Sequence, residues 1–134
     1  MFVAWQRIGL VTQVPMIAIV EDDASVREAT QSLVRSVGFT ACTFASAEEF
    51  MRSPDTNEVS CLIADVQLPG MSGVELQRVL IAQGRSTPVI FMSAFEDAAV
   101  RARALKAGAV CFLSKPVEGQ TFVEYLEKAL KKGN

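Results

Sequence analysis

Histidine is absent from the 134 residues of the chain. Its absence excludes Ser-His-Asp and Cys-His catalysis, imidazole metal ligands and histidine-based pH switches. Cysteine is scarce: Cys42, Cys61 and Cys111 lie far apart, without a C-x-x-C motif, so neither a zinc site nor a disulfide framework is predicted. We interpret these cysteines as reduced core residues and therefore expect a cytoplasmic protein.

An excess of charge of one sign is also missing, since 13 basic residues face 15 acidic ones and the formal net charge is −2. This balance argues against nucleic acid or a membrane surface as a partner of the domain. Apolar residues make up 50% of the chain and charged residues 21%, which is typical of a chain that folds around a core. A chain of this length does not need a metal or a disulfide to stabilise that core.

Long hydrophobic runs are missing as well, and no stretch approaches the roughly 20 apolar residues of a membrane span. The fairly apolar Met1–Val14 is interrupted by polar residues such as Arg7 and Gln13 and lacks a basic start. It therefore does not predict a signal peptide. We expect an N-terminal extension over residues 1–15 and one folded domain over residues 16–134.

Short apolar runs alternate with helical patterns along the rest of the chain. The predicted strands are Met16–Val20, Phe39–Phe44, Val59–Ala64, Pro88–Met92 and Val110–Leu113. The predicted helices are Ala24–Val37, Ser46–Arg52, Val74–Gln83, Asp97–Ala107 and Glu118–Lys131. Because the strands are apolar throughout, we predict a parallel sheet covered on both faces. The expected fold class is α/β, a flavodoxin-like doubly wound sheet of five strands in the order 2-1-3-4-5 with five flanking helices.

Polar and charged side chains stand at the ends of four predicted strands. They are the acid pair Glu21-Asp22, then Asp65, Ser93 and Lys115. The carboxyl ends of parallel strands meet at one edge of a sheet, so these groups are expected to converge there. Carboxylates at close range repel one another, and Mg²⁺ with its oxygen ligands resolves that repulsion. A neighbouring lysine and hydroxyl suit phosphoryl oxygens, and the central Asp65 is the candidate nucleophile that would form an acyl phosphate.

Five segments in order resemble one family over about Met16–Lys131, the receiver domain of two-component response regulators. They are Ile19–Asp23, Asp65–Glu75, Pro88–Ala94, Lys106–Ala109 and Phe112–Pro116. The segment from Asp65 to Glu75 is most similar to the subgroup whose receivers often precede a helix-turn-helix output domain. The resemblance implies a phosphorelay signalling protein that takes a phosphoryl group from a sensor histidine kinase and controls an output such as transcription.

The resemblance assigns Asp65 as the phosphoacceptor. It further implies a Mg²⁺ cofactor, which Asp22 would ligate directly and Glu21 mostly through water. Asp65 and the backbone carbonyl of Gln67 would complete the protein's ligands. Asp23 lies one residue too late for the metal pair, so we expect it to cap a helix or face solvent.

The resemblance also assigns groups that stabilise the phosphoryl group and transmit its presence. Ser93, the backbone of Ala94 and Lys115 would contact the phosphoryl oxygens. Ser93 and Phe112 would act as the conformational switch, and the bond before Pro116 is expected to be cis. The surface of the fourth helix, fifth strand and fifth helix would change with them, and it is the candidate surface for a homodimer or an output domain.

Other classes of function compete with this interpretation. An aspartyl phosphatase requires a second Asp two residues after the first, where this chain has Gln67. A nucleotide or flavin binder on the same fold needs a phosphate-binding loop after strand 1, and the acids Glu21, Asp22 and Asp23 would repel a phosphate there. A receiver-like adaptor that no longer takes phosphate is a further alternative.

We expect a phosphoacceptor that assists its own phosphorylation and dephosphorylation and is not otherwise an enzyme. Both a stand-alone receiver and the N-terminal part of a longer regulator fit the sequence.

Overall fold

Each predicted apolar run forms a strand, and each predicted helical pattern forms a helix. The structure, a computed structural model, describes residues 14–54 and 56–132. The strands are β1 Met16–Val20, β2 Thr40–Phe44, β3 Cys61–Asp65, β4 Val89–Ser93 and β5 Cys111–Ser114. The helices are α1 Ala24–Ser36, α2 Ala47–Arg52, α3 Gly73–Ala82, α4 Ala98–Lys106 and α5 Gly119–Lys132, with a short 3₁₀ turn at Thr56–Glu58.

The strands of the described residues pair in one parallel sheet of five, in the order β2-β1-β3-β4-β5. This confirms the predicted fold class and strand order. The order reverses beside β1, so β1 and β3 are neighbours although α1, β2 and α2 lie between them in the chain. Pairing of Val20 with Ala64 brings the residues that follow these two strands to the same place at the sheet edge.

Two apolar layers cover the sheet, as expected for strands that are buried on both faces. On β1, Ile17 and Ile19 pack with the apolar sides of α1 and α5, where Val34 and Phe122 lie. Residues on the other face of the strands pack with α2, α3 and α4. This second layer includes Ala18 and Val20 of β1 together with the helix residues Phe50, Leu76 and Ala104. Side chains that alternate along each strand therefore fill both layers.

The strands differ from the prediction at their ends. β3, β4 and β5 each extend one residue further and end at Asp65, Ser93 and Ser114. The predicted starts of β2, β3, β4 and β5 were one or two residues too early. Backbone pairing explains the extension, because a polar residue continues a parallel ladder as well as an apolar one: Asp65 pairs with Met92, and Ser93 pairs with Ser114.

Capping side chains set the helix starts. The Asp23 carboxylate accepts hydrogen bonds from the backbone N–H groups of Ser25 and Val26, which confirms its capping role at α1. Ser72 and Glu75 form a reciprocal capping box at the start of α3. That box explains why α3 begins at Gly73, one residue before the predicted start.

The described residues test some of the remaining sequence expectations and leave others untested. The expected extension lies outside them up to residue 13, so the boundary between extension and domain stays a prediction. Cys61 and Cys111 are buried thiols in the core. Burial raises the pKa of Cys61 to about 12 and that of Cys111 to about 11, so both stay protonated. Within the described residues, no helix is long and apolar enough to span a membrane.

Candidate phosphorylation site

Two buried carboxylates lie side by side at the carboxyl edge of the sheet. Asp65 is the last residue of β3 and is 6% exposed, whereas Glu21 follows β1 directly and is fully buried. The parallel pairing of β1 with β3 fixes their proximity. Buried carboxylates require partners, since an unpaired charge in the interior is strongly unfavourable.

Lys115, which follows β5, supplies that partner. Its Nζ donates a hydrogen bond to Glu21 Oε1 at 2.6 Å and another to Asp65 Oδ2 at 2.6 Å. The backbone N–H of Lys115 donates to the carbonyl of Ser93 at 2.8 Å, which holds the start of this loop against β4. The Lys115–Pro116 peptide bond is cis. One ammonium thus bridges carboxylates from two other strand ends.

The electrostatics of this group follow from burial and pairing. Burial alone would lower the pKa of Lys115, but the hydrogen bonds to Asp65 and Glu21 outweigh it and raise that pKa. Burial raises the pKa of Glu21, although the hydrogen bonds from Lys115 and from the N–H of Asp23 oppose the shift. The lysine is therefore charged throughout the physiological range, whereas burial opposes ionisation of Glu21 and its hydrogen-bond partners reduce that cost.

The acidic groups offer a set of oxygen ligands for a cation. One carboxylate oxygen each from Glu21, Asp22 and Asp65 lies within 4.8 Å of the others. Asp22 is exposed, so it gives this set an opening to solvent. Three carboxyl groups lie here, and the Lys115 ammonium pairs with two of them, those of Glu21 and Asp65. Hard oxygen donors of this kind fit a divalent cation such as Mg²⁺.

The loop between β3 and α3 closes over Asp65. The backbone N–H of Gln67 donates to Asp65 Oδ1 at 2.9 Å, so both oxygens of this carboxylate accept a hydrogen bond. Gly73 lies directly on the backbone of Asp65, where an added Cβ would come within 2.3 Å of its carbonyl oxygen. Only glycine allows this approach, which places the start of α3 against the backbone at the end of β3.

Two other predicted site residues, Ser93 and Ala94, lie at the neighbouring strand end. The Ser93 hydroxyl accepts a hydrogen bond from the N–H of Phe95 at 3.1 Å and donates one to its carbonyl at 3.0 Å. Ala94 and Lys115 line the same groove beside α1. In this structure the hydroxyl therefore contacts its own loop, and contact with a phosphoryl group would require it to exchange those partners.

Phe112 on β5 faces the interior. It is 7% exposed, and its ring lies 6.2 Å from that of Phe91 at an angle of 45°. On the other side, Arg101 of α4 donates from Nη1 to the Phe112 carbonyl at 3.0 Å. The predicted switch residue Phe112 thus contacts the core through Phe91 and α4 through Arg101.

Sequence patterns missed residues that support the site from outside. Arg27 Nη1 donates to the carbonyl of Glu21 at 2.9 Å, and Glu48 Oε2 accepts from the N–H of Met71 at 2.8 Å. The second contact joins residues 23 positions apart on different elements. No periodicity or short motif signals such a pair. The first is a side chain on α1 reaching back to the preceding strand end, which helical spacing alone does not indicate.

Comparison with known proteins gives a consistent result. The family described as response regulator receiver domain matches residues 17–127. The response regulator protein TodT of Pseudomonas putida is 40% identical over 116 residues, which cover 87% of this chain and 51% of TodT. The transcriptional regulatory protein FixJ of Bradyrhizobium diazoefficiens is 32% identical over 115 residues, which cover 86% of this chain and 56% of FixJ.

A solved structure of the response regulator StyR superposes with a TM-score of 0.84 at 40% identity, over 90% of this chain and 61% of StyR. The chain spans about half the length of the curated relatives it matches.

Proposed function

Because the chain belongs to the response regulator receiver domain family, we propose that it accepts a phosphoryl group from a sensor histidine kinase onto Asp65. The observation that carries this proposal is the pairing of Asp65 with Lys115 at the carboxyl edge of the sheet, at 2.6 Å. The Asp65 carboxylate lies beside those of Glu21 and Asp22 and accepts hydrogen bonds from Lys115 and from the N–H of Gln67. Among the acids of the site, it therefore has the surroundings that suit a nucleophile.

The proposed metal ligands are Asp22, Asp65 and the backbone carbonyl of Gln67, with Glu21 acting mostly through water. Bound there, Mg²⁺ would neutralise the charge of the carboxylates and of the incoming phosphoryl oxygens. The clustered carboxylate oxygens of Glu21, Asp22 and Asp65 support this assignment. The ammonium of Lys115 already counters part of the same charge.

The proposed transfer uses the chain's own groups for position and charge. A carboxylate oxygen of Asp65 attacks the phosphorus of the donor phosphohistidine as the phosphorus–nitrogen bond breaks. The electron pair leaves with the imidazole of the donor, which then takes up a proton. Lys115 keeps its charge and pairs with a phosphoryl oxygen, while the Ser93 hydroxyl and the N–H of Ala94 donate to the others. Hydrolysis of the acyl phosphate at the same site would return Asp65 to its free carboxylate.

The relatives support an output in transcription, since FixJ is named a transcriptional regulatory protein and this chain matches about half of it. We propose that the domain, over residues 16–134, works as the receiver of such a regulator, in the cytoplasm and without direct contact to nucleic acid or membrane. The surface formed by α4, β5 and α5 would carry the signal to an output domain or a second copy.

Acetyl phosphate tests the acceptor assignment without the cognate kinase. With Mg²⁺ present, we expect the intact mass of the wild type to rise by one phosphoryl group and that of Asp65→Asn to stay unchanged. Asp22→Ala should bind Mg²⁺ more weakly by calorimetry or NMR. Equal phosphorylation of wild type and Asp65→Asn would rule out Asp65 as the acceptor.

A further inference from the structure

We propose that Glu48 of α2 is a positioning residue of the phosphorylation site, because its carboxylate anchors the loop that carries Gln67. The inference rests on the proposed function of Asp65 and Gln67. The loop runs from Val66 to Ser72 and separates Asp65 from α3. Glu48 Oε2 accepts a hydrogen bond from the backbone N–H of Met71, near the far end of this loop, at 2.8 Å.

Glu48 lies close to Gly70 of the loop as well as to Met71. Gly70 has a φ of +74°, which turns the loop backbone across the end of the Glu48 side chain. A Cβ at Gly70 would lie 2.5 Å from Glu48 Oε2. Glycine at this position thus meets two demands, the left-handed backbone and the space for the carboxylate.

Buried residues hold the helix that carries Glu48 in place. Its neighbours Ala47 and Phe50 are fully buried and hold α2 against the sheet. The hydrogen bond from Met71 is the main cause that lowers the pKa of Glu48, so the group remains an ionised acceptor at neutral pH. The loop is therefore attached to an element that the core fixes independently.

Gln67 lies between two attachments of the loop. On one side, Gly73 donates its N–H to the carbonyl of Val66 at 3.0 Å and closes the base of the loop. On the other side, Glu48 holds Met71. The Gln67 N–H that contacts Asp65 Oδ1 and the Gln67 carbonyl assigned to the metal belong to one short stretch between these points. Loss of the Glu48 contact would let that stretch move relative to Asp65.

The experiment compares Glu48→Ala and Glu48→Asp with Glu48→Gln in the full chain. Initial rates of phosphorylation by acetyl phosphate are measured by intact mass over a range of Mg²⁺ concentrations. We expect the alanine and aspartate variants to need on the order of tenfold more Mg²⁺ for half the maximal rate. Alanine removes the acceptor and aspartate shortens its reach, whereas glutamine retains an acceptor oxygen at full length and should stay within about twofold of wild type.

Glu49→Ala is the matched control on the same helix. Glu49 Oε1 accepts from the N–H of Ala45 at 2.7 Å and does not contact the loop in the described structure. Its loss should lower the melting temperature and leave the Mg²⁺ requirement unchanged. Chemical shifts of the Gln67 and Met71 amides should move in Glu48→Ala and not in Glu49→Ala.

The possible failures are distinguishable. A wild type that gains no phosphoryl mass overturns the proposed function. A wild type that is phosphorylated, with Glu48→Ala or Glu48→Asp showing the same Mg²⁺ requirement, overturns the role of Glu48 alone. An equal shift in Glu49→Ala, or no recovery in Glu48→Gln, has that same consequence, because the effect would then come from α2 stability or from charge. If Glu48→Ala does not fold, Glu48→Asp decides the question.

Discussion

Helices α3 and α4 pack on the same side of the sheet and are attached to it differently. Of the ten residues of α3, four are buried. They are Gly73, Leu76, Gln77 and Leu80. Of the nine residues of α4, one is buried, Ala104. Moving α3 would expose two leucines, at roughly 2 kcal/mol each, whereas little apolar area resists a shift of α4. Apolar burial therefore anchors α3 more strongly than α4.

Polar contacts replace apolar burial at α4. Gln77 Nε2 donates to the carbonyl of Ala104 at 3.1 Å, and Arg101 Nη1 donates to the carbonyl of Phe112 at 3.0 Å. The Arg101 guanidinium also lies 5.8 Å from the centre of the Phe112 ring. Each hydrogen bond contributes about 1 kcal/mol net, so we expect α4 to be held less firmly than α3.

The largest expected effect comes from truncating a leucine on each helix. Leu76→Ala on α3 should lower the free energy of unfolding by about 3 kcal/mol, because Leu76 is fully buried. Leu105→Ala on α4 should cost less than about 1 kcal/mol, since Leu105 is 37% exposed. Urea unfolding of both variants measures the difference. Equal losses would remove the distinction between the two helices.

An intermediate effect is expected at the carboxyl edge of the sheet, where Glu21 follows β1 and the burial of its carboxylate lowers stability. Glu21→Gln should raise the free energy of unfolding by about 1 kcal/mol or less at neutral pH. It removes a buried charge and keeps one acceptor oxygen for Lys115, but its amide NH2 group cannot accept the hydrogen bond from the N–H of Asp23. Urea unfolding checks this. A large loss of stability would mean that the pairing with Lys115 outweighs the burial cost.

The difference in stability between Glu21→Gln and the wild type should depend on pH. The pKa of Glu21 is raised in the folded state, so the folded protein takes up this proton at a higher pH than the unfolded chain. As the pH falls through the raised pKa of Glu21, this carboxyl group becomes protonated in the folded wild type. The cost of burying its charge then disappears. The advantage of Glu21→Gln should therefore be full above the raised pKa of Glu21 and should vanish as the pH falls below the unfolded value of about 4. A constant difference across this range would contradict the assigned cause.

The smallest effect is expected for the hydrogen bond that Arg101 of α4 donates to the Phe112 carbonyl of β5. Arg101→Ala should speed hydrogen exchange of α4 amides by about fivefold, the equivalent of one hydrogen bond, while α3 amides keep their rates. Arg103→Ala, at an exposed position of the same helix, serves as the control. Unchanged exchange in Arg101→Ala would show that the contact with Phe112 does not hold α4.

Sequence patterns predicted the strand order and the edge where Asp65, Glu21 and Lys115 meet, because apolar runs and the geometry of parallel sheets determine both. They could not predict which carboxylate oxygens Lys115 contacts or that Ser93 contacts Phe95, since side-chain rotamers decide these. Pairs such as Glu48 with Met71 were also beyond sequence patterns. They depend on how α2 packs beside the loop, which no local signal encodes.

The central claim is that a phosphoryl group on Asp65 changes α4 and β5 while α3 stays in place. Amide chemical shifts of the free protein and of its beryllofluoride complex, which mimics the acyl phosphate, test it most directly. The account predicts shifts at Ser93, at Phe112 and along α4, with little change at Leu76 and Leu80 of α3. Changes confined to the strand ends, with Phe112 and α4 unaffected, would contradict it.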